Sequence, residues 1–121
     1  MAFTNNVRVD SLRTVAFGGI GSSYAVFGVS FSHRMRMIKI TNNTDGDLFI
    51  AFTRGNTPAS DGSEDNDFVP AGSFVLYDFT SNSESTSSPF VFQVGTQVWV
   101  RYSSAPTVRS VYLTGVYGKG E

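Results

Sequence analysis

The 121-residue chain contains no cysteine, so disulfide staples, cysteine zinc sites and thiol catalysis are excluded. Without thiols the chain is indifferent to redox compartment. Histidine occurs once, at His33, which leaves no second imidazole for a histidine-based metal site. Charge is scarce: 16% of residues are Asp, Glu, Lys or Arg, against about 25% in typical soluble domains. The formal net charge of −1 supplies no general attraction to nucleic acid. No apolar run approaches the ~20 residues that a membrane-spanning helix needs. The opening "MAFTNNVRVDS" lacks a basic segment followed by an apolar one, so no secretory signal is expected. Helical spacing of apolar residues is almost absent too.

What is present is β-rich and aromatic. Aromatic residues make up 14% of the chain, with 11 phenylalanines. A small domain with many aromatics and few charges tends to cover part of its surface with a partner, which points to oligomerisation or assembly. Short runs suited to strands recur: "RTVAFG", "SYAVFG", "RMRMIKIT", "LFIAFT", "SFVLYDF", "PFVFQV", "QVWVRY" and "SVYLTGVY". "DFVP" adds a short edge strand, because Pro70 has no N–H for a ladder. Turn-forming clusters such as "GGIGSS", "NNTDGD", "PAGS" and "SSAPT" separate them. Eight or nine such strands predict an all-β fold, a single antiparallel β-sandwich of jelly-roll-like kind. The sandwich is assigned to residues 13–121, and residues 1–12 form an N-terminal arm that either lies across a neighbour or frays.

Alternation assigns faces. Val98, Val100 and Tyr102 oppose Gln97, Trp99 and Arg101. In "SFVLYDF", Phe74 and Leu76 alternate with Val75 and Tyr77, so both faces are apolar. A sandwich strand needs one apolar face. The second is either a subunit contact or a strand end tucked under loops. Charge is also uneven. Arg8, Arg13, Arg34, Arg36 and Lys39 face Asp10 alone in the first third of the chain. Asp45, Asp47, Asp61, Glu64, Asp65, Asp67, Asp78 and Glu84 face Arg54 alone in the middle. Either these are solvated loops, or copies dock basic surface to acidic surface. The interface candidates are Arg8, Arg13, Tyr77, Trp99 and Arg101.

Reactive constellations are missing. His33 has no nucleophile paired with it in a G-x-S-x-G elbow. The acidic residues sit in polar loops, where nothing raises one partner's pKa for acid–base work. "GGIGSS" lacks the Lys-Ser/Thr and the helix of a phosphate loop. The loop 61–67 is rich in oxygen donors but does not follow the calcium-loop pattern, so a solvated acidic loop is the default and a cation there stays open. No catalytic residue, metal ligand or cofactor is assigned, and no enzymatic activity is expected.

"KITNNTDGDLFIAF" is the densest cluster of polar side chains between two apolar arms. Asn42-Asn43-Thr44 satisfies the N-x-T glycosylation pattern, and Asp45-Gly46 is a hairpin signal. The expectation is an antiparallel hairpin pairing "MIKITN" with "DLFIAF", with Gly46 at positive φ.

Five stretches, "VAFGGIGSSYAVFG", "IKITNNTDGDLFIAF", "FVPAGSFVLYDFTSN", "FVFQVGTQVWVRYSSAP" and "SVYLTGVYG", occur in that order over Val15 to Gly118. The series resembles small β-rich virion structural proteins of tailed bacteriophages. The resemblance rests on turns and strand cores, so it speaks to fold more than to activity, and it implies no catalytic residues. It implies a protein assembled in the bacterial cytoplasm and resident in the virion. Its partners would be the major capsid protein, as for a decoration (cement) protein, or neck, portal and tail proteins, as for a ring component. A homo-oligomer is expected, with no membrane and no specific nucleic acid. A carbohydrate-binding module, with Trp99 and tyrosines as the sugar platform, is the alternative of another class.

Overall fold

A computed structural model describes residues 7–54, 66–79 and 92–118. Nine strands are found among them: β1 Val7–Val9, β2 Arg13–Ala16, β3 Ala25–Val26, β4 Met35–Asn42, β5 Leu48–Arg54, β6 Asn66–Val69, β7 Phe74–Asp78, β8 Thr96–Tyr102 and β9 Ser110–Gly118. A 3-10 turn, Phe17–Gly19, follows β2. The strands form two antiparallel sheets. One runs β1-β9-β4-β7, with β2 also on β9; the other runs β3-β8-β5-β6. The fold is an all-β sandwich.

Each sheet contributes the inner half of its alternation to the core. Ile38 and Ile40 of β4 stand beside Leu113 and Val111 of β9 on one side. Leu48 and Ile50 of β5 stand beside Val98 and Val100 of β8 on the other. All are β-branched or leucine, stiff residues that fill a pleated surface and need no polar partner. Phe27 and Phe31, from the segment between β3 and β4, are fully buried in the same core. Phe92 fills the space among Phe52, Tyr77 and Phe79, with ring centroids 4.9, 5.7 and 5.4 Å away. Its backbone exchanges two hydrogen bonds with Met35, at 2.9 and 3.0 Å.

Several sequence expectations change. "PFVFQV" contributes one isolated bridge, Phe92 to Met35; its residues 89–91 lie outside the described part. "SYAVFG" shortens to the two residues of β3. Val7–Val9, within the expected arm, pairs with Val116–Gly118 of β9. The β6 strand ending before Pro70 lies at the edge of its sheet, as its proline requires.

The largest correction concerns "KITNNTDGDLFIAF". The two apolar arms do not pair. β4 bonds to β7 and β9 in one sheet, and β5 bonds to β6 and β8 in the other. Residues 43–47 therefore carry the chain from one sheet to the other. Gly46 is not among the positive-φ residues. Glycine is required there for closeness: a Cβ would lie 2.3 Å from the Ser104 carbonyl oxygen and 2.8 Å from the Pro106 nitrogen. A hairpin reading fails because the flanking arms each need two sheet neighbours, and the polar residues between them satisfy one another without a ladder.

Candidate interaction surfaces

The 43–47 corner is the first cluster to be explained. Asn42 is fully buried. Its amide donates to the Gly46 carbonyl at 2.8 Å and to the Val69 carbonyl at 3.0 Å. Its Oδ1 accepts from the Thr44 N–H at 3.0 Å and from the Thr44 hydroxyl at 2.6 Å. All four hydrogen-bonding positions of the amide are thereby occupied, which is what burying a polar side chain demands. Asp45 accepts from the Thr107 N–H at 2.6 Å and also from the Thr107 hydroxyl. These bonds, the hydroxyl's first, hold its carboxyl below the usual carboxylate range. Asp47 accepts from the Ala71 N–H at 2.9 Å, and its own N–H donates to Ser104 Oγ at 2.9 Å. The cluster is a structural corner, and the Asn42 of its N-x-T pattern is sealed from solvent in the folded chain.

The interface candidates occupy three different settings. Arg13 lies in the interior, its side chain 7% exposed. Its guanidinium is 2.7 Å from Asp10, its Nε donates to the Val29 carbonyl at 3.0 Å, and its Cζ lies 5.1 Å from the Phe31 ring centre. Gly28, at φ +73°, passes its stem so closely that a Cβ would sit 2.8 Å from Arg13 Cδ. Arg13 is thus spent within the chain, joining β2 to the loop before β4, and is not available to a partner. Tyr77 faces inward, half-buried, and its hydroxyl donates to Asp67 across the two sheets. Burial, with Asp67 adding to it, raises the Tyr77 pKa, so the phenol stays protonated at neutral pH. Arg8 lies on β1, half-buried, opposite Tyr117 of β9.

Trp99 and Arg101 share the outer face of the β3-β8-β5-β6 sheet, as the alternation predicts. In register, Trp99 neighbours Ala51 and Arg101 neighbours Phe49, with Phe68 beyond. The Arg101 guanidinium stacks over Phe49 at 4.3 Å and lies 5.3 Å from Tyr24. Phe49 meets Phe68 at 5.3 Å. The indole N–H of Trp99 donates to Thr53 Oγ1 at 2.7 Å. The Tyr24 hydroxyl reaches Asn66 on the far side of the sheet. This face is aromatic, but much of it is covered by its own side chains.

The outer face of the other sheet was half legible. β7 presents Phe74 and Leu76, which are 60% and 47% exposed. β4 presents Met37, Lys39 and Thr41 beside them, and β9 presents Tyr112, Thr114 and Val116. Val9, 73% exposed, continues the row from β1 beside Val116. The Lys39 ammonium rests over the Phe74 ring at 4.6 Å. The sequence signalled this face through the two-sided apolar pattern of β7. It did not signal Val9 or Met37, because their neighbours come from strands distant in the chain.

His33 stacks flat on Tyr117 at 3.8 Å, half-buried. Among the described residues no group of three or more His, Cys, Asp or Glu side chains converges. Of the acidic loop 61–67, residues 61–65 lie outside the described part. No helix among the described residues is long and apolar enough to cross a membrane. Compared with family models, curated proteins and solved structures, the chain matches none.

Proposed function

We propose that the protein is a structural component of a tailed-bacteriophage virion, binding the head as a capsid decoration protein. One observation carries the assembly role: apolar side chains, among them Phe74, Leu76, Val9 and Phe68, are exposed on the outer faces of both sheets. Side chains of this size on two opposite faces cost solvation in an isolated monomer and are useful where neighbours cover them. The virion assignment comes from the sequence resemblance over Val15 to Gly118. The mechanism is burial of surface on the major capsid protein, with the sandwich as a rigid spacer and no active site.

Co-sedimentation of the purified chain with phage capsids tests this reading. Saturable binding to the head lattice is expected. Absence of binding to heads, necks and tails alike would overturn it. Binding confined to the neck, with rings of six or twelve copies, would favour the head-to-tail ring component instead. The aromatic row of Tyr24, Phe49, Phe68 and Trp99 supports a carbohydrate-binding reading of the second face, and a glycan array distinguishes it.

A further inference from the structure

We propose that β7 is a pairing edge: two copies of this chain join along it, strand to strand, about a twofold axis at Val75, so that one sheet continues from copy to copy. This rests on the edge itself and not on the virion reading.

The ends of β7 fix its bonding pattern. The Asn42 N–H donates to the Ser73 carbonyl at 2.8 Å, and the Phe79 N–H donates to the Arg36 carbonyl at 2.8 Å. Both pairs continue the register that sets Ile40 opposite Val75 and Ile38 opposite Tyr77. Hydrogen-bonded pairs alternate with non-bonded ones along an antiparallel ladder. Val75 and Tyr77 therefore turn their backbone groups toward β4, while Phe74 and Leu76 turn theirs away from it. β7 is the last strand of its sheet, so among the described residues no strand receives those groups.

The other terminal strands are blunted. β3 has two residues, and β1 and β2 divide one edge into pieces of three and four. On β6 the Phe68 N–H is taken by the Asp67 carboxylate at 2.8 Å, and Pro70 follows the strand. Short, interrupted or capped edges are how sandwiches avoid unwanted pairing. β7 has none of these devices. It runs five residues in unbroken register, without proline, lysine or arginine, and its exposed side chains are the apolar Phe74 and Leu76.

An open edge of this kind takes an extended strand. A second β7 fits it in a defined register. With the axis at Leu76, Phe74 would lie beside the carboxylate of the copy's Asp78. With the axis at Val75, Phe74 lies beside the copy's Leu76, and Leu76 beside the copy's Phe74. The N–H and C=O of each then bond those of the other, and both cross-strand side-chain pairs are apolar. The open stretch is thus closed by its own equivalent with no group left over, which is the argument for a second copy as its occupant. The contact is narrow, so the dimer is weak, with a dissociation constant on the order of 100 µM.

Sedimentation velocity on the full chain provides the test, with circular dichroism confirming that each variant folds. The wild type is expected to be mostly dimeric at about 1 mM, tenfold above that constant. Leu76→Pro removes an N–H that β4 does not use and should weaken the dimer at least tenfold. If that variant loses its fold, Leu76→Lys, which sets a charge beside the copy's Phe74, is read in its place with the same expected loss. Thr114→Arg, two strands in from the edge on the outer face, should leave the dimer intact. The native chain has no cysteine, so single cysteines report the register. Val75 faces its own equivalent in a non-bonded pair, about 4.5 Å apart at Cα and within disulfide reach. Leu76 lies diagonal to its equivalent, about 8 Å away and outside that reach. Val75→Cys should therefore give a covalent dimer on mild oxidation, and Leu76→Cys should not. A wild type that stays monomeric at about 1 mM overturns the proposal. So does an undiminished dimer in the Leu76 variant, loss of the dimer in Thr114→Arg, or the reverse cysteine pattern. Capsid binding that is lost with Leu76→Lys while the wild type is monomeric would assign the edge to a capsid strand, and the second-copy proposal would fail with the virion reading intact.

Discussion

The Asn42 amide donates to the carbonyl of Val69 at 3.0 Å, tying the last residue of β4 in one sheet to the last residue of β6 in the other. Removing that amide takes a donor from the buried Gly46 and Val69 carbonyls and the acceptor from the Thr44 N–H, and only the Thr44 hydroxyl, 3.1 Å from the Gly46 carbonyl, can turn to a replacement. Asn42→Ala is expected to cost about 3 kcal/mol in a denaturant unfolding experiment. Asn42→Asp should cost more, since a carboxylate would face the oxygens of Gly46 and Val69.

Gly46→Ala is a separate test of the same corner. The added methyl would collide with backbone at 2.3 Å, and backbone cannot swing aside as a side-chain tip can. The variant should unfold at markedly lower denaturant or accumulate insoluble. Gly72→Ala is the contrast: it has open space and a φ of +75°, so its cost is conformational and near ~1 kcal/mol.

Acid should weaken the corner through Asp45. Its folded pKa lies below the ordinary 3.8, because Thr107 hydrogen-bonds the ionised form. A depressed carboxyl stabilises the fold above its unfolded value and loses that contribution as pH falls through its folded value. Thr107→Val should therefore melt below the wild type at pH 7, and the gap should close as the pH drops below 3.8. A gap that stays constant into strong acid would contradict this.

Alkali should act on Tyr77. Its pKa is raised above the ordinary 10.0, so its contribution is complete below that value and disappears as pH climbs through the folded one. An absorbance titration of the native protein should show a phenol ionising above the ordinary value, and Tyr77→Phe should remove that step. At neutral pH the same substitution should cost about 1 kcal/mol, the worth of one hydrogen bond to a half-exposed carboxylate.

Period-two alternation made the β class and most strand positions legible. β8 follows it residue by residue: Val98 and Val100 turn inward while Trp99 turns outward. The two-faced pattern of β7 is explained by Phe74 and Leu76, which stand exposed on the outer face and are not tucked under loops. Pairing was not legible. Asp-Gly between two apolar arms describes a hairpin locally, yet β4 finds its neighbours far downstream, in β7 and β9. Arg13 was misplaced for a related reason. A lone arginine in a strand reads as surface, and only the approach of Gly28, Val29 and Phe31 from another part of the chain buries it. Local signals fix what a segment is, whereas partners far along the chain fix where it goes.

The placement of β9 has a consequence in time. It pairs with β1, β2 and β4, all from the first 42 residues. On a ribosome, those early strands emerge long before the strand that joins them. Until Ser110–Gly118 has been made, β4 has one neighbour fewer, and β1 and β2 have no sheet to enter. Folding of the first sheet is therefore a late event, slow in the way that distant strand pairing is slow. The nascent chain carries unpaired strand edges throughout its synthesis.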